Sequence, residues 1–144
     1  MMKAATRVAA RCAQPPVILA VTVLTSFRDS DLEEIGVAGR AVDQVLRLAS
    51  LARSAGCNGI VSSVSEAAAL RRELGEGFAI VTPGVRPTGA AKDDQARVAT
   101  PRQALAAGAS HIVVGRPITA AADPAAAARA ILEEMSAAES IRKV

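Results

Sequence analysis

Apolar residues alternate along this 144-residue chain between short continuous runs and longer stretches with helical spacing. Val17 to Val23 is a continuous β-branched run between Pro15-Pro16 and Thr25-Ser26, which predicts a strand covered on both faces. From about Gly39 to Ser54, Val42, Val45, Leu46, Ala49 and Ala52 recur at helical spacing, and Gly56 stops the run. Gly59 to Ser62 is short and strand-like. Ser63-Val-Ser-Glu66 then has the spacing of a capping box, opening a helix that Gly75 ends.

The alternation continues. Phe78 to Thr82 predicts a strand closed by Pro83-Gly84, and residues 84–99, rich in Gly, Pro, Asp and Lys, predict a long loop. Thr100-Pro101-Arg102-Gln103 restarts a helix with an N-cap threonine, a first-turn proline and a reciprocal glutamine, and Gly108 ends it. His111 to Val114 is the last strand. Asp123-Pro124 opens a final helix with an apolar face of Ala127, Ala128, Ile131, Leu132 and Met135.

Four strands, each followed by a helix, imply parallel pairing with right-handed crossovers. Such units build either a doubly wound sheet or a (β/α)₈ barrel, and in both the ligand collects at the C-terminal ends of the strands. Here those ends carry Thr25-Ser26, Ser62-Ser63, Gly84-Val85-Arg86 and Gly115-Arg116. Glycine admits a ligand close to the backbone, and arginine offers a planar fork of donors matched to phosphate oxygens. Two Gly/Arg/Pro exits, Val81-Thr-Pro-Gly-Val-Arg86-Pro and Val113-Val-Gly115-Arg116-Pro, point to a phosphorylated small molecule.

Composition narrows the classes. The chain is 51% hydrophobic but has two Phe, no Tyr and no Trp, so aliphatic residues must fill the core and base stacking on aromatic platforms is excluded. Seventeen basic residues against fourteen acidic ones give a net charge of only +3, scattered without a basic block, which argues against nucleic acid. No apolar run reaches the length of a membrane span and the start lacks a signal-peptide core, which predicts a cytoplasmic protein. Cys12 and Cys57 lie far apart with no metal motif around them, and both read as buried thiols. Residues 1–144 suit one domain.

At the strand exits the chain resembles the bacterial type of orotidine 5′-phosphate decarboxylase. The residues that carry the resemblance are Leu19 to Ser26, Val81 to Pro87, Asp94-Gln95 and Val114-Gly-Arg-Pro-Ile118-Thr, in the order and spacing of the second half of that family's barrel. The resemblance implies a TIM (β/α)₈ barrel, here a partial one of about four βα units preceded by a helix. It implies decarboxylation of orotidine 5′-monophosphate to uridine 5′-monophosphate in pyrimidine synthesis, with no metal or organic cofactor, by an enzyme that is typically a homodimer. Carried over residue by residue, it makes Gln95, Gly115 and Arg116 the phosphate gripper, places Arg86 beside them and Thr25 among the nucleotide contacts, and offers Ser63 as a contact to the pyrimidine.

The family's chemistry rests on a Lys-Asp network in an Asp-x-Lys-x-x-Asp motif on an early strand. Lys3, Lys92 and Lys143 are the only lysines and none lies in such a motif. No catalytic residue is therefore assigned, and the chain by itself is expected to be inactive. Met1 to Ala10 reads as an uncapped helix, similar to a segment inside the helix after the family's fourth strand. The start is thus expected to be an internal methionine of a truncated gene, a misassigned start or a partial sequence. Two other readings remain open: a non-catalytic phosphate-binding half-barrel that pairs with itself or with a front-half chain, and a related phosphosugar barrel decarboxylase.

Other polar residues have plainer readings. Ser63 is first an N-cap. Lys92, Asp93 and Asp94 form a solvated loop run. His111 begins a strand, at the end away from the expected site, and reads as structural.

Overall fold

The computed structural model describes residues 1–87 and 99–142. Helix α1 (Met2–Ala9) precedes strand β1 (Leu19–Val21), followed by α2 (Asp29–Glu34) and α3 (Ala41–Ser54). Then come β2 (Gly59–Val61), α4 (Val64–Leu74), β3 (Ala79–Thr82) and α5 (Pro101–Ala106). Strand β4 (His111–Ile112), the short α6 (Arg116–Thr119) and α7 (Pro124–Arg142) complete the order.

The four strands form one sheet in the order β1-β2-β3-β4, and every pairing is parallel. Register places Leu19, Gly59 and Ala79 on one level and Val21, Val61, Val81 and His111 on the next but one. Because side chains alternate across a strand, these residues share one face of the sheet. Ile60 and Ile80 lie on the other face, fully buried against Val45 and Ala49 of α3 and Leu70 of α4. Ala20 packs against the same cluster. Ile112 continues that face against Val85, Ala104 and Ala109.

The helices thus cover a single face, and the strands follow one another in space as they do in sequence. A doubly wound sheet has helices on both faces and a reversal of strand order. Sequential order with one covered face is the arrangement of a (β/α) barrel wall. The uncovered face corrects one expectation. The run from Val17 to Val23 is not covered on both sides: Leu19 is 38% and Val21 62% exposed, and Val113 on the same face is 50% exposed. In a closed barrel such residues are covered by strands across the interior.

Close strand approach depends on Gly59. A β-carbon there would lie 2.5 Å from the Ala79 carbonyl oxygen and 2.8 Å from Leu19 Cδ2. Asn58 clasps the strand starts. Its side-chain oxygen accepts from the Ile18 N–H at 2.8 Å and its own N–H donates to the Ile18 carbonyl at 2.9 Å.

The helix boundaries follow the local signals closely. Thr100 caps α5 with the full reciprocal pair: its Oγ1 accepts from the Gln103 N–H at 3.2 Å and Gln103 Oε1 accepts from the Thr100 N–H at 2.9 Å. Gly75 ends α4 with φ +74°. Asp123 Oδ1 accepts from the Ala126 N–H at 2.9 Å at the start of α7. On α7, Ile131 is buried, but Leu132 is 60% exposed, so the apolar face expected there is only partly covered. Helix α2 has no counterpart among the elements that the sequence predicts. Cys57 is buried in the core, whereas Cys12 is exposed just beyond the uncapped α1, contrary to the expectation for both thiols.

Candidate active-site rim

All four strand exits lie on the C-terminal edge of one parallel sheet, so the topology brings Thr25, Ser63, Arg86, Gly115 and Arg116 to a common rim. At the β1 exit, Thr25 is half-buried in a tight turn closed by the Phe27 N–H donating to the Leu24 carbonyl at 2.9 Å. At the β3 exit, Gly84 adopts φ +76°, the left-handed conformation that glycine accepts without strain. Val85 then plants its side chain in a small cluster with Ala104 and Ala109, with Val64, Ile112 and Val114 packed around it.

That anchor fixes Arg86, which is only 7% exposed. Its backbone N–H donates to the Ala99 carbonyl at 2.9 Å, and Val85 and Ala99 form an isolated parallel bridge. The two ends of the long segment after β3 are thereby held together. Arg86 Nε is buried with no hydrogen-bond partner among the described residues. A buried guanidinium N–H without a partner is uncommon, and it marks a donor available to an anion. Thr82 Oγ1 is the other such atom, but its register places Thr82 with Ile80 on the helix-covered face, away from the sheet's bare side.

At the β4 exit, Gly115 precedes α6 as its N-cap and is exposed. Beyond its chain neighbours, no atom of the described residues lies within 4 Å of where a β-carbon would stand, so ligand can approach this backbone. Arg116 begins α6 and is exposed. Gln95, together with Lys92, Asp93 and Asp94, lies outside the described residues.

The β2 exit departs from its local signal. Ser63 occupies the N-cap position of α4, but its hydroxyl caps no backbone N–H. It donates instead to the Glu66 carboxylate. Ser62, Ser63 and Glu66 are all buried, at 0%, 4% and 4% exposure. In the sequence Glu66 has the spacing of the reciprocal half of a capping box. Spacing cannot distinguish that role from a buried carboxylate bonded to the serine hydroxyl.

A sequential parallel sheet with one helix-covered face, and with its glycines and arginines gathered at the strand exits, defines a portion of a (β/α) barrel. The chain belongs to the orotidine 5′-phosphate decarboxylase / HUMPS family, whose pattern matches residues 1–131. It is 56% identical over 136 residues to the orotidine 5′-phosphate decarboxylase of Nitrosococcus oceani, covering 94% of this chain and 59% of that protein. It is also 56% identical over 138 residues to that of Halorhodospira halophila, covering 96% of this chain and 58% of the relative. Among solved structures, the orotidine 5′-phosphate decarboxylase of Lactobacillus acidophilus superposes with a TM-score of 0.78 at 40% identity, over 94% of this chain and 58% of that one. The chain therefore spans a little under three-fifths of the length of these relatives. Among the described residues no helix is long and apolar enough to cross a membrane.

Proposed function

We propose that residues 1–144 form a single partial-barrel domain, the phosphate- and nucleotide-binding part of a cytoplasmic orotidine 5′-phosphate decarboxylase. The observation that carries this reading is the pair of arginine-bearing exits on adjacent strands, β3 and β4, in a chain 56% identical to proteins of that name. Arg86 and Arg116 supply charge-assisted donors to a phosphodianion, Gly115 leaves room for its approach, Gln95 closes over it, and Thr25 contacts the nucleotide. These contacts are remote from the reacting carbon. They accelerate the reaction only to the extent that they hold the closed, reactive arrangement more tightly than the ground state.

In the reaction the bond between the ring carbon and the carboxylate breaks, carbon dioxide leaves, and the electron pair left on the ring takes up a proton. The charged Lys-Asp network that would drive both events is not encoded in these 144 residues. They are accordingly the binding portion, without metal or organic cofactor, of a site completed elsewhere in the enzyme, which works as a homodimer.

The test is a titration of the purified chain with uridine 5′-monophosphate, inorganic phosphate and a sugar phosphate, followed by thermal shift and calorimetry, beside an assay for decarboxylation. Saturable stabilisation by the nucleotide without turnover is expected. Tight binding of the sugar phosphate with none of the nucleotide would replace this reading with that of a phosphosugar decarboxylase.

The bare sheet face favours a second reading, a half-barrel module that functions by pairing. Strands β1 and β4 are the two ends of the sheet, and Leu19, Val21 and Val113 stand exposed on its uncovered side. Unpaired edges and an apolar face invite a further set of parallel strands. Sedimentation of the chain, alone and with a co-expressed front half of a relative, distinguishes the two: a monomer that binds nucleotide fits the first reading, and a stable pair fits the second.

A further inference from the structure

The two ends of the sheet are open in complementary ways. Among the described residues β1 pairs only with β2 and β4 only with β3, so each leaves a row of backbone donors and acceptors without a strand. Beside β4, helix α7 packs on α5 and α6, and a groove of about 410 Å³ stays open between strand and helix. Ile112, Val114, Ile118, Ile131, Leu132 and Met135 give it an aliphatic lining. At the other end, Ile18 and Ala20 turn to the helix-covered side of β1 and are only half-buried. The bare face is apolar from edge to edge. The strands place no acidic residue, lysine or arginine on it, and His111 is its one titratable side chain.

We propose that this surface takes a second copy of the chain, with β1 of each copy added in parallel beside β4 of the other. The inference deepens the half-barrel reading above by naming the partner. Each copy carries both parts of the fit, the groove at one edge and the half-buried strand at the other, so no other chain is needed to complete the wall. Four strands from each copy make eight, the number at which a parallel sheet closes around an interior filled by side chains.

The contact is head-to-tail. Contacts of that kind form a ring when the rotation closes and a filament when it does not. With half of an eight-stranded wall in each copy, the ring closes at two. Closure then removes every open edge and sets Leu19, Val21 and Val113 of the two copies into one interior. The second seam forms within an already joined pair, which favours the closed pair over an open string of copies. In the closed pair the Gly115 exit of each copy adjoins the β1 exit of the other, so the rim is assembled from both.

The experiment is analytical sedimentation of the unmodified chain between about 1 and 100 µM, with circular dichroism to confirm the fold of each variant. A species of two copies, with nothing larger, is expected. Val21 and Val113 are 62% and 50% exposed on the two edges, so Val21→Lys and Val113→Glu leave the single chain folded. Each puts an uncompensated charge into both seams and weakens pairing at least about tenfold. Mixing the two variants restores pairing, because one seam is then unmodified and the other brings Lys and Glu together. Leu51→Glu, at a position 53% exposed on α3, leaves pairing unchanged.

A ladder of ever larger species overturns the inference, as does a mixture that pairs no better than either variant alone. The size of the unmodified species needs no variant to fold. A chain that stays single but joins the front half of a relative overturns the second copy and leaves the half-barrel reading standing. A chain that joins neither removes that reading itself.

Discussion

The guanidinium of Arg71, near the end of α4, straddles the Gly108 carbonyl oxygen just past α5, with Nε at 3.1 Å and Nη2 at 2.9 Å. Nη1 of the same group donates to the carbonyls of Phe78, at 2.9 Å, and Gly75, at 2.5 Å. One side chain thus ties the end of one helix, the start of β3 and the loop before β4, on the side of the sheet opposite the rim. Gly108 permits this because a β-carbon there would lie 2.9 Å from Arg71 Cβ, and because its φ of +101° suits glycine.

Removing that guanidinium leaves three carbonyls without their donor in a partly buried place. Arg71→Ala is expected to destabilise the chain by about 2–4 kcal/mol, and Arg71→Lys, with a point charge in place of the fork, by roughly half as much. Urea unfolding followed by circular dichroism measures both. A loss under about 0.5 kcal/mol for the alanine variant would show that the four contacts carry little net energy.

Gly59→Ala tests the strand spacing. The new methyl would collide with backbone and side chain of Ala79 and with Leu19, and only the leucine end can move cheaply. A loss of about 2–4 kcal/mol is expected, or failure to fold, since β2 pairs on both sides and cannot shift without breaking one ladder. Thermal unfolding of this variant beside Gly77→Ala, where a β-carbon meets none of the described residues within 4 Å, separates collision from loss of glycine freedom.

Arg86 and Arg116 should respond differently to removal. Arg116 is exposed, so Arg116→Ala is expected to weaken uridine 5′-monophosphate binding about tenfold to a hundredfold while the melting temperature moves by about 2 °C or less. Arg86 is buried, so Arg86→Ala should lower both affinity and stability. Calorimetry and thermal melts on the two variants check this. Full nucleotide affinity in Arg116→Ala would remove Arg116 from the phosphate site.

Arg40 and Asp43 make a two-pronged ion pair at the start of α3, Nε to Oδ2 and Nη2 to Oδ1, both at 3.0 Å. The hydrogen bonds and charge of Arg40 hold the Asp43 carboxyl below the usual carboxylate range. Its small stabilising contribution is therefore present at and above the ordinary carboxylate range and disappears as pH falls through the lowered one. Asp43→Asn should melt slightly lower than the unmodified chain at neutral pH, and the two curves should converge in acid. Both side chains are largely exposed, so about 1 M salt should shrink the neutral-pH difference too.

Elements whose signals are local were legible in the sequence. Thr100, Pro101 and Gln103 specify the start of α5 within one turn, and the structure reproduces both reciprocal bonds. The strands were legible as apolar runs between turn residues, and the rim followed from their shared polarity at one end. What depends on distant neighbours was not legible. A run such as Val17 to Val23 looks the same whether its second face meets more protein or none. Helix α2, six residues of which five are charged or serine, buries only Leu32 and shows no periodicity to read. Helix α6 is a single turn. Ser63 and Glu66 have the spacing of a cap, and only the folded geometry shows the hydroxyl turned to the carboxylate rather than to the backbone. Cys12 lies past the end of α1, where composition gives no hint of depth.

The bare side of the sheet also gives the chain an internal gauge. Leu19, Val21 and Val113 are apolar, lie on the same face of the sheet near its two edges, and are open to water, so an environment-sensitive dye should adsorb there and brighten with the chain otherwise folded. Covering that side with a second copy or with complementary strands would quench the signal, whereas nucleotide arriving at the rim from the strand ends would leave most of it intact. The dye therefore reports covering of the bare face separately from filling of the rim, without altering a residue.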